Sequence, residues 1–437
     1  MSKFKYKSWV GIASFAAGLF YVTSSLGAGV DNATLKGIQS YVKDNTKAQI
    51  ALLNQLVEIN SGTTNLKGVH QVGAVLEPEF QALGFKTYWA EEPVSMQRAG
   101  TLIAELPGKG PAILLIGHLD TVFPADSPFQ HVTREGNDEK GPGVCDDKGG
   151  DVVILYALKA LNAAHALEGK HIIVVLTGDE ENSGKPSSIS RKPLIDVAHN
   201  SAIALEFEGA LTLNSVTIAR RGIEDWTLTT TGKTGHSSGI FQARDGDGAI
   251  FEMARILDNF RTTFSKQAHL TVNPAIILGG TQVSFDDHDS DGTAAGRANV
   301  IAAKAIAQGD MRFMTDAQRV STEKTMRQIV SQHLPITSAT ISFLAGIPAM
   351  PLSAGNQQLL AQYSQVSQLL GYGAVTADDP DARGASDISY VAGIVSANLA
   401  GLGPICHQPH SPDEKIDLHS ISVETERTAV FILGWKG

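Results

Sequence analysis

IIVVLTGDEENSG (172–184) runs an uninterrupted apolar stretch straight into three acids, and that junction decides the fold. A short continuous run rich in β-branched residues suits a strand buried on both faces, as in a parallel sheet covered by helices. Sheets of that kind bind their ligands just beyond the carboxyl ends of the strands. Asp179, Glu180 and Glu181 stand at such an end. Working outward, helical spacing fills 148–165 on one side, and a helix-like stretch separates the run from AIALEFE (202–208) on the other. Further upstream, KTYWA (86–90), LIAEL (102–106) and AILLIGH (112–118) read as strands, and 33–58 and 68–83 as amphipathic helices. This alternation predicts an α/β class, with a larger domain whose mostly parallel sheet is flanked by helices.

The texture changes near residue 217. DWTLTTT (225–231) alternates as a half-exposed strand does, and 248–264 has helical spacing. Strand-like stretches at 269–285 and 299–313, a helix at 316–332 and a strand at 339–345 complete a compact α+β unit. Beyond Pro351 the α/β pattern returns. A chain of 437 residues exceeds one ordinary core. The expected divisions are a signal peptide (1–28), a first part of the large domain (29–216), a smaller inserted α+β domain (217–347) and a second part of the large domain (348–437).

The first 28 residues set Lys3, Lys5 and Lys7 before an apolar run at 9–22 and small residues at 24–28. That is the order of a cleaved signal peptide, and the run is short for a membrane span of ~20 residues. The expectation is a periplasmic or secreted protein with no stable membrane insertion after cleavage. A net charge of −10 and a pI near 5.7 exclude a nucleic-acid surface, which needs a basic stripe. Only two cysteines occur, Cys145 and Cys406, in no zinc-finger spacing. A pair in an oxidising compartment and two buried thiols both remain open.

Acids and histidines gather at the strand ends. In IGHLDTVFP (116–124), His118 and Asp120 face one side if the strand continues, and a carboxylate commonly holds the far nitrogen of a metal-bound imidazole. In GPGVCDDKGG (141–150), Asp146 and Asp147 are adjacent before a helix. Helix capping explains one of them, whereas two like charges so close call for a cation. On extended backbone, Glu180 and Glu181 point to opposite sides, so one can ligate metal while the other works on water. Glu206 and Glu208 share a face of an apolar run and need partners. His407 and His410 lie in GPICHQPHSPDE (403–414). Each cluster alone has a plain structural reading; together they form a nitrogen and oxygen donor set suited to zinc.

These segments resemble the co-catalytic di-zinc exopeptidases, which include glutamate carboxypeptidases of the folate-cleaving type, succinyl-diaminopimelate desuccinylase and aminoacylase. The resemblance runs from about residue 45 to the C-terminus, through GHLDTVFP, GPGVCDDKGG, TGDEENSG, FEG (207–209), GASD (384–387) and HSPDE (410–414). It implies a hydrolase that cleaves an amide or peptide bond beside a free carboxylate, with two zinc ions; cobalt and manganese suit the same ligands. By position, it implies His118 and Glu208 on one ion, Glu181 and His410 on the other, and Asp146 bridging both. Asp120 would orient His118, Glu180 would be the general base, and the bond after Asp146 would be cis. Glu206 competes with Glu208 by one strand step; the FEG alignment favours Glu208. GKTGHSSG (232–239) resembles a lid segment whose histidine, here His236, steadies an oxyanion in a partner subunit. Asn299 and Arg312 resemble lid residues that bind substrate carboxylate or carbonyl. The lid implies a homodimer acting on a small peptide or N-acyl amino acid, so 217–347 would be a lid and dimerisation domain. Ile347 stands where the folate-cleaving branch has arginine, which weakens the case for glutamate side chains. N-acyl-amino-acid hydrolases and dipeptidases share this machinery.

Two other readings compete for the same residues. GHSSG (235–239) fits GxSxG, with Ser237, Asp387 and His410 in the chain order of a serine hydrolase, but no helix follows the serine directly. A metal-retaining binding protein leaves Glu180 without a purpose.

Overall fold

The computed structural model describes residues 31–287 and 290–436; the expected signal peptide lies outside the described residues. The chain opens with α1 (Asn32–Val57), whose first turn is capped by Asp31 accepting from the amides of Ala33 and Thr34, each at 2.9 Å. Helix α2 (Leu66–Ala82) leads to β1 (Lys86–Ala90), β2 (Thr101–Leu106) and β3 (Ala112–His118). Helix α3 (Lys148–Ala163), β4 (Ile172–Thr177) and β5 (Ser201–Glu206) follow. The inserted unit contributes β6 (Gly222–Gly232), α4 (Gly248–Phe264), β7 (Thr271–Gly280), β8 (Lys304–Phe313), α5 (Asp316–Val330) and β9 (Thr337–Ala345). The chain then returns through α6 (Ala354–Leu369), β10 (Ala397–Leu399) and α7 (Leu418–Gly434).

The large sheet runs β1-β2-β4-β3-β5-β10, parallel from β4 to β10 and antiparallel at β1 and β2. Its two faces explain the apolar run that opened the sequence reading. Ile172, Val174 and Leu176 enter the core shared with α1, α3 and α7, whereas Ile173 and Val175 join Leu194, Ala198, Ile388 and Val391 on the other side. Burying each such side chain contributes about 1.5–3 kcal/mol. A polar residue at either face would therefore break the layer, and the strand has no solvent side on which to place one.

The smaller sheet runs β7-β8-β6-β9, all antiparallel. Along β6, buried and half-exposed residues alternate, and Trp226 and Leu228 pack on Met253, Ile256 and Phe260 of α4 and on Met326 of α5. The strand-like stretch read at 269–285 is two strands, β7 and the first arm of a hairpin that pairs Gln282–Asp286 with Asp291–Ala295. The break falls at Gly280, where a Cβ would lie 2.4 Å from the Ala295 carbonyl. Among the described residues no helix is long and apolar enough to cross a membrane.

Candidate metal centre

Three neighbouring parallel strands end at the same edge, and their ends carry the acids. Strand β3 stops at His118, and the segments after β4 and β5 bring Glu180, Glu181 and Glu208 beside it. Strand β3 approaches α3 so closely that a Cβ on Gly117 would sit 2.4 Å from Asp151 Oδ1, hence glycine before the histidine. The His118 ring is 1% exposed. Its Nδ1 meets the Asp120 carbonyl at 3.1 Å and Oδ1 at 3.4 Å, and its Nε2 lies 3.0 Å from Asp146 Oδ1. Asp120 lies past the strand end, and it does more than face His118. Its carboxylate accepts from Thr63 Oγ1 at 2.5 Å and from the amides of Glu180 and Glu181 at 3.0 and 3.1 Å. One side chain thus fixes both the imidazole and the acidic turn.

Asp146 occupies the middle. Its Oδ2 lies 3.0 Å from His410 Nε2, and that same nitrogen lies 3.2 Å from Glu181 Oε2. The Asp146–Asp147 peptide is cis. Asp147 holds the N-cap position of α3, yet its side chain caps nothing. The capping account therefore fits neither aspartate.

Glu206 and Glu208 part company because β5 ends at Glu206. Glu206 accepts from Ser386 Oγ at 2.8 Å and the Ile388 amide at 2.9 Å, and is 1% exposed. Glu208 faces the cleft with Arg220 Nη2 at 2.6 Å from Oε2; the same nitrogen lies 3.3 Å from Glu206. His118, Glu180 and Glu208 offer ligand atoms within 4.8 Å of one another, and so do His118, Asp146 and Glu181. Glu208 thus groups with His118 through Glu180, whereas the resemblance groups it with Asp146. Arg220 holds it on that side.

Electrostatics show what the cluster lacks. Burial lowers the His118 imidazole, but its bonds to Asp120 and Asp146 outweigh this and hold it well above the histidine range. Hydrogen bonds to Asp146 and Glu181 raise His410 to about 10. Burial raises Glu181 to about 7, and burial reinforced by Glu208 and Asp387 pushes Glu180 well above the carboxylate range. Glu181 Oε1 is buried without a hydrogen-bond partner. An orphaned carboxylate oxygen among two imidazoles and four carboxylates fits a divalent cation, and the mixed nitrogen and oxygen donors suit zinc.

The cleft, about 220 Å³, is lined by Asp146, Glu180, Glu181, Glu208 and His410, and also by Arg220 and Arg383. Sequence reasoning did not single out either arginine. Asking what neutralises two glutamates in an apolar strand would have called for a cation, although not for which one. His236, Asn299 and Arg312 do not line the cleft. They belong to the smaller unit, where His236 Nδ1 meets Ser238 Oγ at 2.8 Å, Asn299 accepts from the Ser237 amide at 3.0 Å, and Arg312 pairs with Asp310 at 3.0 Å. The serine-hydrolase reading does not assemble. Ser237 starts a short 3-10 turn, Asp387 accepts from Arg191 and Thr177 at 2.6 Å each, and His410 faces Asp146 and Glu181. His407 lies in an exposed two-residue strand. Cys145 and Cys406 are joined as a disulfide beside the site.

A family described as Peptidase family M20/M25/M40 matches residues 114–433. The chain belongs to this family. It is therefore a hydrolase of the metallopeptidase and metallo-amidohydrolase kind. Carboxypeptidase G2 from a Pseudomonas species is 27% identical over 403 residues, covering 90% of each chain. A succinyl-diaminopimelate desuccinylase from Gluconacetobacter diazotrophicus is 24% identical over 374 residues, 82% of this chain and 90% of its own. In fold, the chain is similar to the aminopeptidase PepT of Bacillus cereus, with a TM-score of 0.72 and 17% identity over 89% of this chain and 98% of that one. It is also similar to a dinuclear metal-binding M20 peptidase of Bacillus subtilis, with a TM-score of 0.63 and 14% identity over 90% and 98%.

Proposed function

We propose that this M20 protein is a two-zinc exopeptidase of the carboxypeptidase kind, cleaving an amide bond beside a free carboxylate. The observation that carries the reading is the cleft itself. It combines an acid cluster with an orphaned oxygen and two guanidinium groups, Arg220 and Arg383, the latter 10% exposed with Nε unpaired. A buried guanidinium without a full set of acceptors favours an anionic ligand, and carboxylate is the group it pairs with best. Cobalt or manganese can take the same ligands.

In this reading His118, Asp146 and Glu208 would hold one ion, and Asp146, Glu181 and His410 the other. Divalent cations bound there supply Lewis acidity and make water acidic enough to attack near neutral pH. Glu180 takes the proton from the attacking water and returns it to the leaving nitrogen, a role suited to a carboxyl raised by burial. Asp120 keeps His118 in one tautomer and fixes the Glu180 turn. Residues 217–347 act as the lid and dimerisation domain of a homodimer. There, Asn299 and Arg312 bind the substrate carbonyl or carboxylate, and His236 steadies the oxyanion across the dimer. The protein is exported to the periplasm or beyond, where a disulfide persists.

The test compares chelator-stripped and zinc-reloaded protein on N-acyl amino acids, dipeptides and longer peptides, each with its C-terminal amide. Activity should vanish with the metal and return with zinc. Amidation should cost roughly 10- to 100-fold, the size of a lost bond between charged groups. Equal turnover of acids and amides would remove the carboxylate from the reading, and full activity in the stripped protein would remove the metals.

A further inference from the structure

One proposed ligand of the second metal position, His410, is held unlike the others. His118, Glu181 and Glu208 stand at the edge of the large sheet, fixed by buried neighbours. His410 instead sits in the loop of a hairpin whose arms pair Cys406 with Ile416 and His407 with Lys415. Its side chain is 55% exposed. Both Gln408 and His410 have positive φ, 54° and 60°, a region non-glycine residues adopt only where the surroundings hold them. The loop is tied within itself through Ser411, whose Oγ donates to the Gln408 carbonyl at 2.9 Å and accepts from the Asp413 amide at 3.2 Å, and the hairpin arm at 415–417 pairs with 138–140. Glu414 accepts from the Cys145 amide at 3.1 Å, Lys140 reaches Asp413 at 2.6 Å, and one covalent link exists, Cys145–Cys406.

That link joins the two ligand segments. Cys145 immediately precedes Asp146, Cys406 stands four residues before His410, and their Cα atoms are 5.3 Å apart across 261 residues of chain. Cys406 is also seated on the Glu208 side. Its amide donates to Ala210, and a Cβ on Gly209 would meet Cys406 Cβ at 2.4 Å. The bond thus ties the His410 hairpin at once to the aspartate and to the glutamate segment. Cys145 is fully buried, whereas Cys406 lines the cleft, so a small reductant can reach the bond from that side.

We propose that the Cys145–Cys406 disulfide is the clamp that seats His410 over Asp146 and Glu181, so that the second metal position is complete only in the oxidised protein. The proposal rests on the two-metal reading above. It makes the two cysteines positioning residues that act through His410. Reduction by a phosphine takes up one water, leaving two thiols and the phosphine oxide, and frees the hairpin.

The test counts zinc ions and measures each affinity by competition with a chromophoric chelator. Oxidised wild type, C145S/C406S, H410A and the triple variant are compared, with circular dichroism as a check on folding. The wild type should hold two ions. C145S/C406S and phosphine-treated wild type should hold the first unchanged and the second roughly 10- to 100-fold more weakly, as when a group orienting a ligand is removed. H410A should weaken the same ion, and adding C145S/C406S to it should change nothing further. An unaltered second affinity in C145S/C406S overturns the clamp. So does weakening of both ions, or a further loss in the triple variant, because the bond would then support the fold at large. An oxidised wild type that binds no zinc overturns the metal reading and the clamp with it, whereas a wild type that holds two ions leaves the clamp alone on trial.

Discussion

Two of the regions that bury carboxylates in this molecule do so in opposite ways. On α7, Glu424 is 2% exposed and fully served, accepting from Tyr363 Oη at 2.8 Å and Arg427 Nη1 at 2.7 Å. In the cleft, Glu181 keeps an oxygen without a partner, and one arginine nitrogen is shared between Glu206 and Glu208. An unpaired buried carboxylate is costly, and folds normally neutralise it. Both Glu424 oxygens are paired within the chain. The cleft gathers its unpaired oxygen with an imidazole and further carboxylates whose ligand atoms lie, in groups of three, within 4.8 Å of one another, and that grouping is what suits a cation.

The contrast breaks most readily at Glu180. If the cleft acids serve chemistry, Glu180→Gln should keep both metal ions and lose roughly 10²- to 10⁴-fold in kcat, the range for a general base. Its folding stability should hold or rise, since the change removes a carboxyl that burial disfavours. Near-normal turnover by steady-state kinetics would return Glu180 to the scaffold.

His236 sharpens the contrast from outside the cleft. Belonging to the smaller unit and touching Ser238 rather than any cleft acid, it should leave metal content alone. His236→Ala should lower kcat by roughly 10²- to 10³-fold, as for a lost oxyanion donor. Loss of zinc from that variant, read by elemental analysis, would cancel the lid assignment.

The same contrast explains what the sequence made legible. The β4 run and the strand and helix alternation are local and readable from pattern, whereas the HLD, CDDKGG and DEE segments had plain readings one by one and gained roles only together and through the family resemblance. What escaped depends on where strands stop and on what crosses from one segment to another. Glu206 and Glu208 share a face only if β5 continues, and it ends at Glu206. Arg220 reveals its role only when its strand neighbours are known. The Gln282–Asp286 hairpin hid inside a continuous β-like pattern because the break at Gly280 is a backbone close approach, which composition does not announce. The disulfide stayed open because nothing in a separation of 261 residues brings two cysteines within 5.3 Å.

The smallest effect belongs to the paired Glu424. Burial raises the Glu424 carboxyl to about 7, above its ordinary 4.5, despite Arg427. Folded protein therefore binds a proton there that unfolded chain has released. Its contribution to stability is full below pH 4.5 and is lost as pH rises from 4.5 through about 7. Glu424→Gln, which still offers an acceptor to Tyr363 and Arg427, should flatten that slope by about 1–3 kcal/mol across the window. Turnover should stay within about twofold, because paired groups far from reacting atoms contribute to folding rather than to the barrier. Urea unfolding at pH 5 and pH 8 reads the slope. Parallel curves for variant and wild type would mean that Arg427 outweighs burial, and that Glu424 is stabilised by its ion pair after all. A large loss of turnover in a stably folded variant would erase the distinction between the two regions.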